Sequence, residues 1–333
     1  MHEVALFPDS DPNIFQLSKW LPIVQNQQSH ELWVDIWQAQ SKTLKRYIKS
    51  HTVKKLVFYD IFHAQPVPYL SEIELIAHYQ KHMPTVLLTA CQTPISGIDN
   101  LVHFNFYWNR AKSAYLDKRP SWKQLPAENY NQWPIETARR PGAVLSLYGK
   151  NNWALKQHLY YQIKHLSGYH SGHDVDTSLP SESNITDLSM LCATPPARKY
   201  FDNTYISAQI ESLCKGPTVL YSEKTYDHLI QGRFVMNFGP KHFYRTLVMD
   251  GWKLPVGVDY SWDDMGDTRN TWEVQTEHRF HAYIKCLVEL ASDLERLHNL
   301  FIANIEVFAH NHEQLRQKPY DIISLEQLAH KYS

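Results

Sequence analysis

The chain has 333 residues, of which 43% are hydrophobic and 20% charged, with a formal net charge of −1 at pH 7. That length suits two ordinary α/β cores, and the near-zero charge excludes a global basic field for a polyanion, though not a local patch. Mean hydropathy is −0.45, and no apolar run approaches the ~20 residues that a membrane-spanning helix requires, so no membrane span is expected.

The opening Met-His-Glu-Val-Ala-Leu-Phe-Pro-Asp has no basic region followed by an apolar core, so no secretory signal is expected. Leu32–Trp37 reads as a strand or a short amphipathic helix, and Lys55–Tyr59 as a buried strand with Asp60 at its end. Ser71, with Glu74 at the capping-box position, predicts a helix start. Pro84–Ala90 and Leu101–Trp108 read as two further strands. Strands alternating with helices imply a parallel sheet over residues 1–140. Four prolines between positions 117 and 142 mark a linker.

A second unit, 141–290, opens with a strand at Ala143–Tyr148 and a helix over 153–166. Residues 167–196 are polar and read as irregular. Tyr205–Ile210 reads as a strand. Ser222 then caps a helix with Glu223 and Lys224 in its first turn and Tyr226, Leu229 and Ile230 at helical spacing, and Gly232 stops it. An apolar strand, Phe234–Phe238, ends at Gly239-Pro240 before another amphipathic segment. From Asp267 the chain reads as helical, ending in charged helices over 287–315 and 324–331, with 291–333 packing back on the N-terminal unit. A lysine at a helix start just ahead of a strand is a seat for a phosphorylated ligand.

Glycine is scarce, at 11 residues, and neither a Walker loop nor a dinucleotide fingerprint occurs. Cys91, Cys192, Cys214 and Cys286 form no Cys-x-x-Cys pair, which predicts reduced thiols in a cytoplasmic protein and no structural zinc. His170-x-x-His173 and His310-x-His312 arise easily among 19 histidines and are expected on the surface; two nitrogens without a third ligand hold no metal well. Asp174-Val175-Asp176 has the spelling of a manganese-binding pair but stands in a polar loop. Asn184-Ile185-Thr186 is a glycosylation sequon in spelling only.

Ser222-Glu223-Lys224-Thr225-Tyr226, Gly232-Arg233-Phe234, Gly251-Trp252 and Tyr260-Ser261-Trp262-Asp263-Asp264, with Asp267 and Arg279 after them, form one ordered set. Tyr205-Ile206-Ser207 and Glu211-Ser212 precede it. Over about 75 residues this stretch resembles the C-terminal half of GT-B glycosyltransferases of the family 10 α-1,3-fucosyltransferase group, viral and bacterial members above all. The resemblance implies two Rossmann-like domains facing a cleft, with C-terminal helices. It also implies donor contacts from Ser222, Glu223, Lys224, Tyr226 and Glu211, the lysine lying near the phosphates. Such enzymes usually carry Asn-Arg and a further Arg after the first donor-domain strand; this chain has Lys150, Asn152 and Lys156, which supply charge without the bidentate fork. The resemblance implies no metal and no cofactor beyond the nucleotide-sugar co-substrate.

An inverting transferase needs a general base for the acceptor hydroxyl. Ligands of open α/β sheets sit beyond the C-terminal strand ends, which makes Asp60, His63 and Glu72 the candidates. Gln231 stands eight residues after Glu223, where related retaining enzymes often carry a second glutamate, and this points to inversion. The expected function is sugar transfer from a nucleotide sugar to a hydroxyl of a glycan, or of a hydroxymethylated base in phage DNA. For the latter, Lys54, Lys55, Lys112, Lys118, Arg119, Arg139 and Arg140 supply a local basic strip. The alternative is a non-catalytic carbohydrate- or nucleotide-binding protein of the same fold.

Overall fold

Continuous apolar runs in the first third of the chain assemble into one parallel sheet, as expected for strands buried on both faces. In the computed structural model these are β1 (His2–Leu6), β2 (Ile23–Gln25), β3 (Glu31–Asp35), β4 (Lys55–Asp60), β5 (Thr85–Thr89) and β6 (Leu101–His103). Their order is β2-β1-β3-β4-β5-β6, with every neighbouring pair parallel. The structure describes residues 1–8, 10–38, 42–60, 70–90, 95, 97–105, 108–109, 112, 137–147, 154–171, 202–211, 214, 219, 221–266 and 272–323. The chain divides into two compact units, Met1–Asn109 with Tyr320–Ser333, and Arg110–Ile185 with Ser189–Pro319.

In the first unit the alternation of side chains along each strand puts Leu32, Val34, Leu56, Phe58 and Leu87 into one core cluster. Leu44 of α1 (Lys42–Ser50) and Ile76 and Tyr79 of α2 (Leu70–Gln80) belong to the same cluster. Helix α2 begins at Leu70, so Ser71 lies inside it rather than capping it. The strand read over 101–108 stops at His103, because Asn105 and Asn109 turn to a different task. Asp321 accepts from the Asn105 amide at 2.6 Å and its own amide donates to Asn109 Oδ1 at 2.7 Å. Ile323 N donates to Trp20 O at 3.1 Å, while Tyr320 stacks on Trp20. Residues 320–323 are thereby fixed within this unit.

The second unit carries β7 (Gly142–Leu147), β8 (Gly168–Ser171), β9 (Thr204–Ser207) and β10 (Phe234–Val235), all parallel, in the order β10-β9-β7-β8. Strand β8 overturns the reading of 167–171 as irregular. A Cβ on Gly168 would stand 1.9 Å from Val144 O, and the residue has φ +143°, so only glycine lets β8 approach β7. Helix α3 (Ala154–Ile163) links these two strands.

Helices α4 (Glu223–Leu229) and α5 (Phe243–Met249) flank β10, with a 3-10 turn at Ser261–Asp264. Three helices follow: α6 (Trp272–Ala291), α7 (Leu294–Ala303) and α8 (Ile305–Gln317). The continuous helix read over 287–315 is broken twice. Asp293 accepts from the Glu295 and Arg296 amides, both at 3.0 Å, and so starts α7; Asn304 ends it. Helix α7 packs on β7 and β9, and α8 on α4, inside this second unit. Their apolar faces join an aromatic core in which Phe301 meets Tyr205 at 5.4 Å and Phe308 meets Phe234 at 5.4 Å. Among the described residues no helix is long and apolar enough to cross a membrane. The expected helix 324–331 and most of the expected linker lie outside the described residues.

Candidate functional site

A parallel sheet offers its ligand crevice where the strand order reverses, beyond the C-terminal strand ends. In the second unit that reversal lies between β7 and β9. Strand β9 continues past Ser207 as an irregular parallel ladder. Met236 N donates to Ser207 O at 2.7 Å, Phe238 N to Gln209 O at 2.7 Å, and Glu211 N to Phe238 O at 2.9 Å. The ladder delivers Glu211 to the start of α4.

Glu211 is 1% exposed, so its carboxylate must be satisfied within the protein. Ser222 Oγ donates to Oε2 at 2.5 Å, and Thr225 Oγ1 donates to Oε1 through a short bond. Ser222 Oγ in turn accepts from Lys224 N at 3.2 Å, which is the helix cap the sequence predicts. Glu211 therefore brings a negative charge to the positive end of α4, a favourable placement for both. Asn237 Nδ2 donates to Lys224 O at 2.7 Å and ties the first turn to the end of β10. Gly232 has φ 61°, in keeping with its role as the stop after α4.

Behind this first turn His228 is buried with both ring nitrogens engaged. Gln209 Nε2 donates to His228 Nε2 at 3.2 Å, so Nδ1 carries the proton that goes to Ser207 Oγ. His228 and Gln209 were not singled out from the sequence, and Ser207 entered only as part of the strand ahead of the helix; the cue to their meeting is that a histidine in α4 and polar residues ending β9 must meet if the helix packs on the strand.

Of the donor residues read from sequence, the fold brings Glu211 and Ser222 into contact and sets Lys224, half-buried, two residues on in the same first turn. Tyr226 is buried, packed between Tyr221 at 5.8 Å and Trp252 at 5.9 Å. Lys156 is buried on α3. The Glu223 side chain, Lys150 and Asn152 lie outside the described residues. Asp263 and Arg279 of the matched set meet as a buried pair at 3.6 Å. The Asp263 carboxylate accepts from the amides of Phe243 at 3.1 Å and Tyr244 at 2.8 Å, which caps α5. Burial pushes this carboxyl up to about 6, against the opposing pull of Arg279.

In the first unit Asp60 ends β4, buried, and its carbonyl accepts from Ala90 N at 3.1 Å. His63 and the Glu72 side chain lie outside the described residues. The strand reversal in this sheet falls between β1 and β3. Asp35 ends β3 there, its amide donating to Ser10 Oγ at 3.0 Å, and the Tyr59 hydroxyl donates to Asp11 O at 2.7 Å. Burial, with the nearby charges of Asp35 and Asp11, holds the Tyr59 phenol well above its usual range. Sequence reading passed over Asp35 and Asp11 because β1 was not recognised as a strand, so the reversal could not be located.

Three residues of the basic strip are used internally, while Lys54 and Arg139 are exposed. Lys55 pairs with Glu31 at 2.9 Å. Lys112 Nζ donates to Leu315 O and Arg316 O, both at 3.0 Å, and to Lys318 O, closing the C-terminal end of α8. Arg140 donates to Thr204 O at 2.6 Å and lies 4.3 Å over the Phe301 ring. Lys118 and Arg119 lie outside the described residues. The two C-terminal histidines are also committed: His310 to Gly251 O at 3.0 Å, and His312, buried rather than on the surface, to Ile230 O at 3.3 Å. Among the described residues no group of three or more His, Cys, Asp or Glu is arranged to hold a metal ion, and Cys214 and Cys286 are free thiols. No family model matches the chain, and no curated protein or solved structure matches it either.

Proposed function

We propose that this protein is a GT-B-type glycosyltransferase that moves a sugar from a nucleotide-sugar donor to an acceptor hydroxyl with inversion and without a metal. The carrying observation is that the segment resembling the family 10 enzymes falls on β9, α4, β10 and α5 of a parallel sheet, beginning beside the strand reversal at β7 and β9. In this reading the nucleotide sits beyond those strand ends, and the Lys224 ammonium offsets charge that builds on the departing diphosphate. Glu211, Ser222 and Thr225 hold the first turn of α4 rigid, so that the lysine is presented from a fixed backbone. In this reading the first unit binds the acceptor, with Asp60 as a candidate base at the C-terminal edge of its sheet.

The transfer itself joins the acceptor oxygen to the anomeric carbon while the bond from that carbon to the diphosphate breaks. The electron pair leaves on the diphosphate, and the acceptor proton passes to the base. The internal engagement of Lys55, Lys112 and Arg140 favours a neutral glycan acceptor over a DNA base. Thermal stabilisation across a panel of nucleoside diphosphates and their sugars tests the reading. One nucleotide should raise the melting temperature, and its sugar should be released as nucleoside diphosphate once a glycan is added. Stabilisation without release supports the non-catalytic binding protein instead, and no stabilisation by any member removes both.

A further inference from the structure

His242 is the one described non-glycine residue with a positive φ, at φ 66° and ψ 19°. This left-handed conformation suits glycine, and L residues that keep it cluster at functional positions. It stands beyond the C-terminal end of β10, on the edge of the sheet where ligands of parallel sheets bind. Its backbone amide donates to Asp263 O at 3.3 Å, and its side chain reaches the neighbouring residue: Nδ1 lies 2.5 Å from Asp264 Oδ1.

The ring is oriented without being buried. The imidazole is 46% exposed and the Asp264 side chain 57%. An ionised carboxylate only accepts hydrogen bonds, so Asp264 fixes the proton on Nδ1 and leaves the Nε2 lone pair outward. Nε2 has no hydrogen-bond partner among the described residues. The nearby charged groups are Asp263 behind the turn, Lys241, whose ammonium donates to Gly266 O at 3.2 Å, and Arg245 one turn along α5. A carboxylate holding a histidine whose second nitrogen is open is the arrangement of a base and its orienting partner. It contrasts with Asp60, whose side chain is buried at the end of β4.

The dyad is also connected to the donor segment. The Tyr221 hydroxyl donates at 3.2 Å to the carbonyl of Phe243, the residue after His242, and the two rings pack 5.0 Å apart. Tyr221 directly precedes the cap Ser222. Gly239 makes this packing possible, since a Cβ there would come within 2.4 Å of the Phe243 ring.

We infer that His242, oriented by Asp264, is the group that accepts the acceptor hydroxyl's proton during sugar transfer. The inference rests on the transferase reading given above. Nε2 takes the proton as the acceptor oxygen bonds to the anomeric carbon and the diphosphate departs with its electron pair; the imidazolium then returns the proton to water. His242 is the catalytic residue here and Asp264 a positioning residue.

The test uses the full chain with its stabilising nucleotide sugar and a glycan acceptor. His242→Gly fits the left-handed backbone and removes only the ring. It should keep nucleotide affinity within about twofold and lose turnover by about 10²- to 10⁴-fold, the range for a general base. The acidic limb of the wild-type kcat/KM profile should vanish with it. Asp264→Asn should lower turnover less, and nitrogen NMR of the His242 ring should show a change in the protonated nitrogen, which a merely structural partner would not produce. Full turnover in His242→Gly with an unchanged pH profile overturns the inference while the transferase reading stands. Wild-type protein that binds the nucleotide sugar without transfer, or binds none, overturns the transferase reading and this inference with it.

Discussion

Asp263→Asn weighs burial against local hydrogen bonding in one side chain. Asp263 is 2% exposed and receives two close amides, a longer one from Arg245 at 3.4 Å, and the Arg279 guanidinium at 3.6 Å. These donors favour the charged form, while loss of water disfavours it, and burial prevails: the carboxyl rises from 3.8 to about 6. Each unit of difference corresponds to about 1.4 kcal/mol, so ionising Asp263 costs the folded state about 3 kcal/mol. A carboxyl whose folded pKa exceeds its unfolded one contributes its stability in full below about 3.8 and loses it as pH rises through about 6. Asparagine carries no charge at any pH, and because its amide nitrogen cannot accept, it also forfeits an acceptor for the amides of α5 by an amount that does not vary with pH. In urea unfolding, the stability of the wild type relative to Asp263→Asn should therefore fall by about 2–3 kcal/mol between about pH 4 and about pH 7. Other titrating groups are shared and cancel in the difference. A wild type that is the more stable at neutral pH, by a margin that grows with pH, would refute the reasoning and give the victory to the amides and Arg279.

Three further outcomes are expected. Ser222→Ala removes the cap of α4 and one donor to Glu211, costing about 2–3 kcal/mol by urea unfolding. Lys112→Met strips the donor from three carbonyls at the end of α8 and should cost about 2–4 kcal/mol, with hydrogen exchange of that last turn accelerating first. Lys224→Ala should weaken the stabilising nucleotide about 10- to 100-fold by calorimetry, the worth of one charged contact to phosphate. Unchanged affinity would remove its phosphate role.

The strands that were legible are those whose own side chains settle the matter. Residues 56–60, 85–89 and 142–146 are largely apolar runs buried on both faces, and nothing but a strand suits them. Gly168–Ser171 has no such signature; it becomes a strand because the bare backbone of Gly168 can lie against Val144. Its apolar partners belong to β7, which local periodicity does not register. The helices divided in a similar way. Ser222 and Gly232 punctuate α4 in the letters themselves, whereas the breaks at Asp293 and Asn304 are marked by polar residues that also occur freely on solvated helix faces. A capping role there depends on which amides are left without partners, and that is a property of the fold.

The same distinction governs the candidate site. The donor-like segment was visible because its residues are close in sequence, and the motif is a local word. What supports it is not local: Glu211 reaches Ser222 and Thr225 from the end of β9, and the carboxylate that caps α5 comes from position 263. The basic residues make the reverse error instructive. Lys112 and Arg140 look available in a one-letter string because their partners are carbonyls, and every residue has a carbonyl. A cation that closes a helix end is therefore indistinguishable by spelling from one that waits for a polyanion, and only the distance from ammonium to carbonyl separates them. His242 falls on the other side of that divide: its partner is a carboxylate, its backbone conformation is the one a glycine would fill at less cost, and its second nitrogen has no hydrogen-bond partner among the described residues, which is why the inference drawn above rests on it.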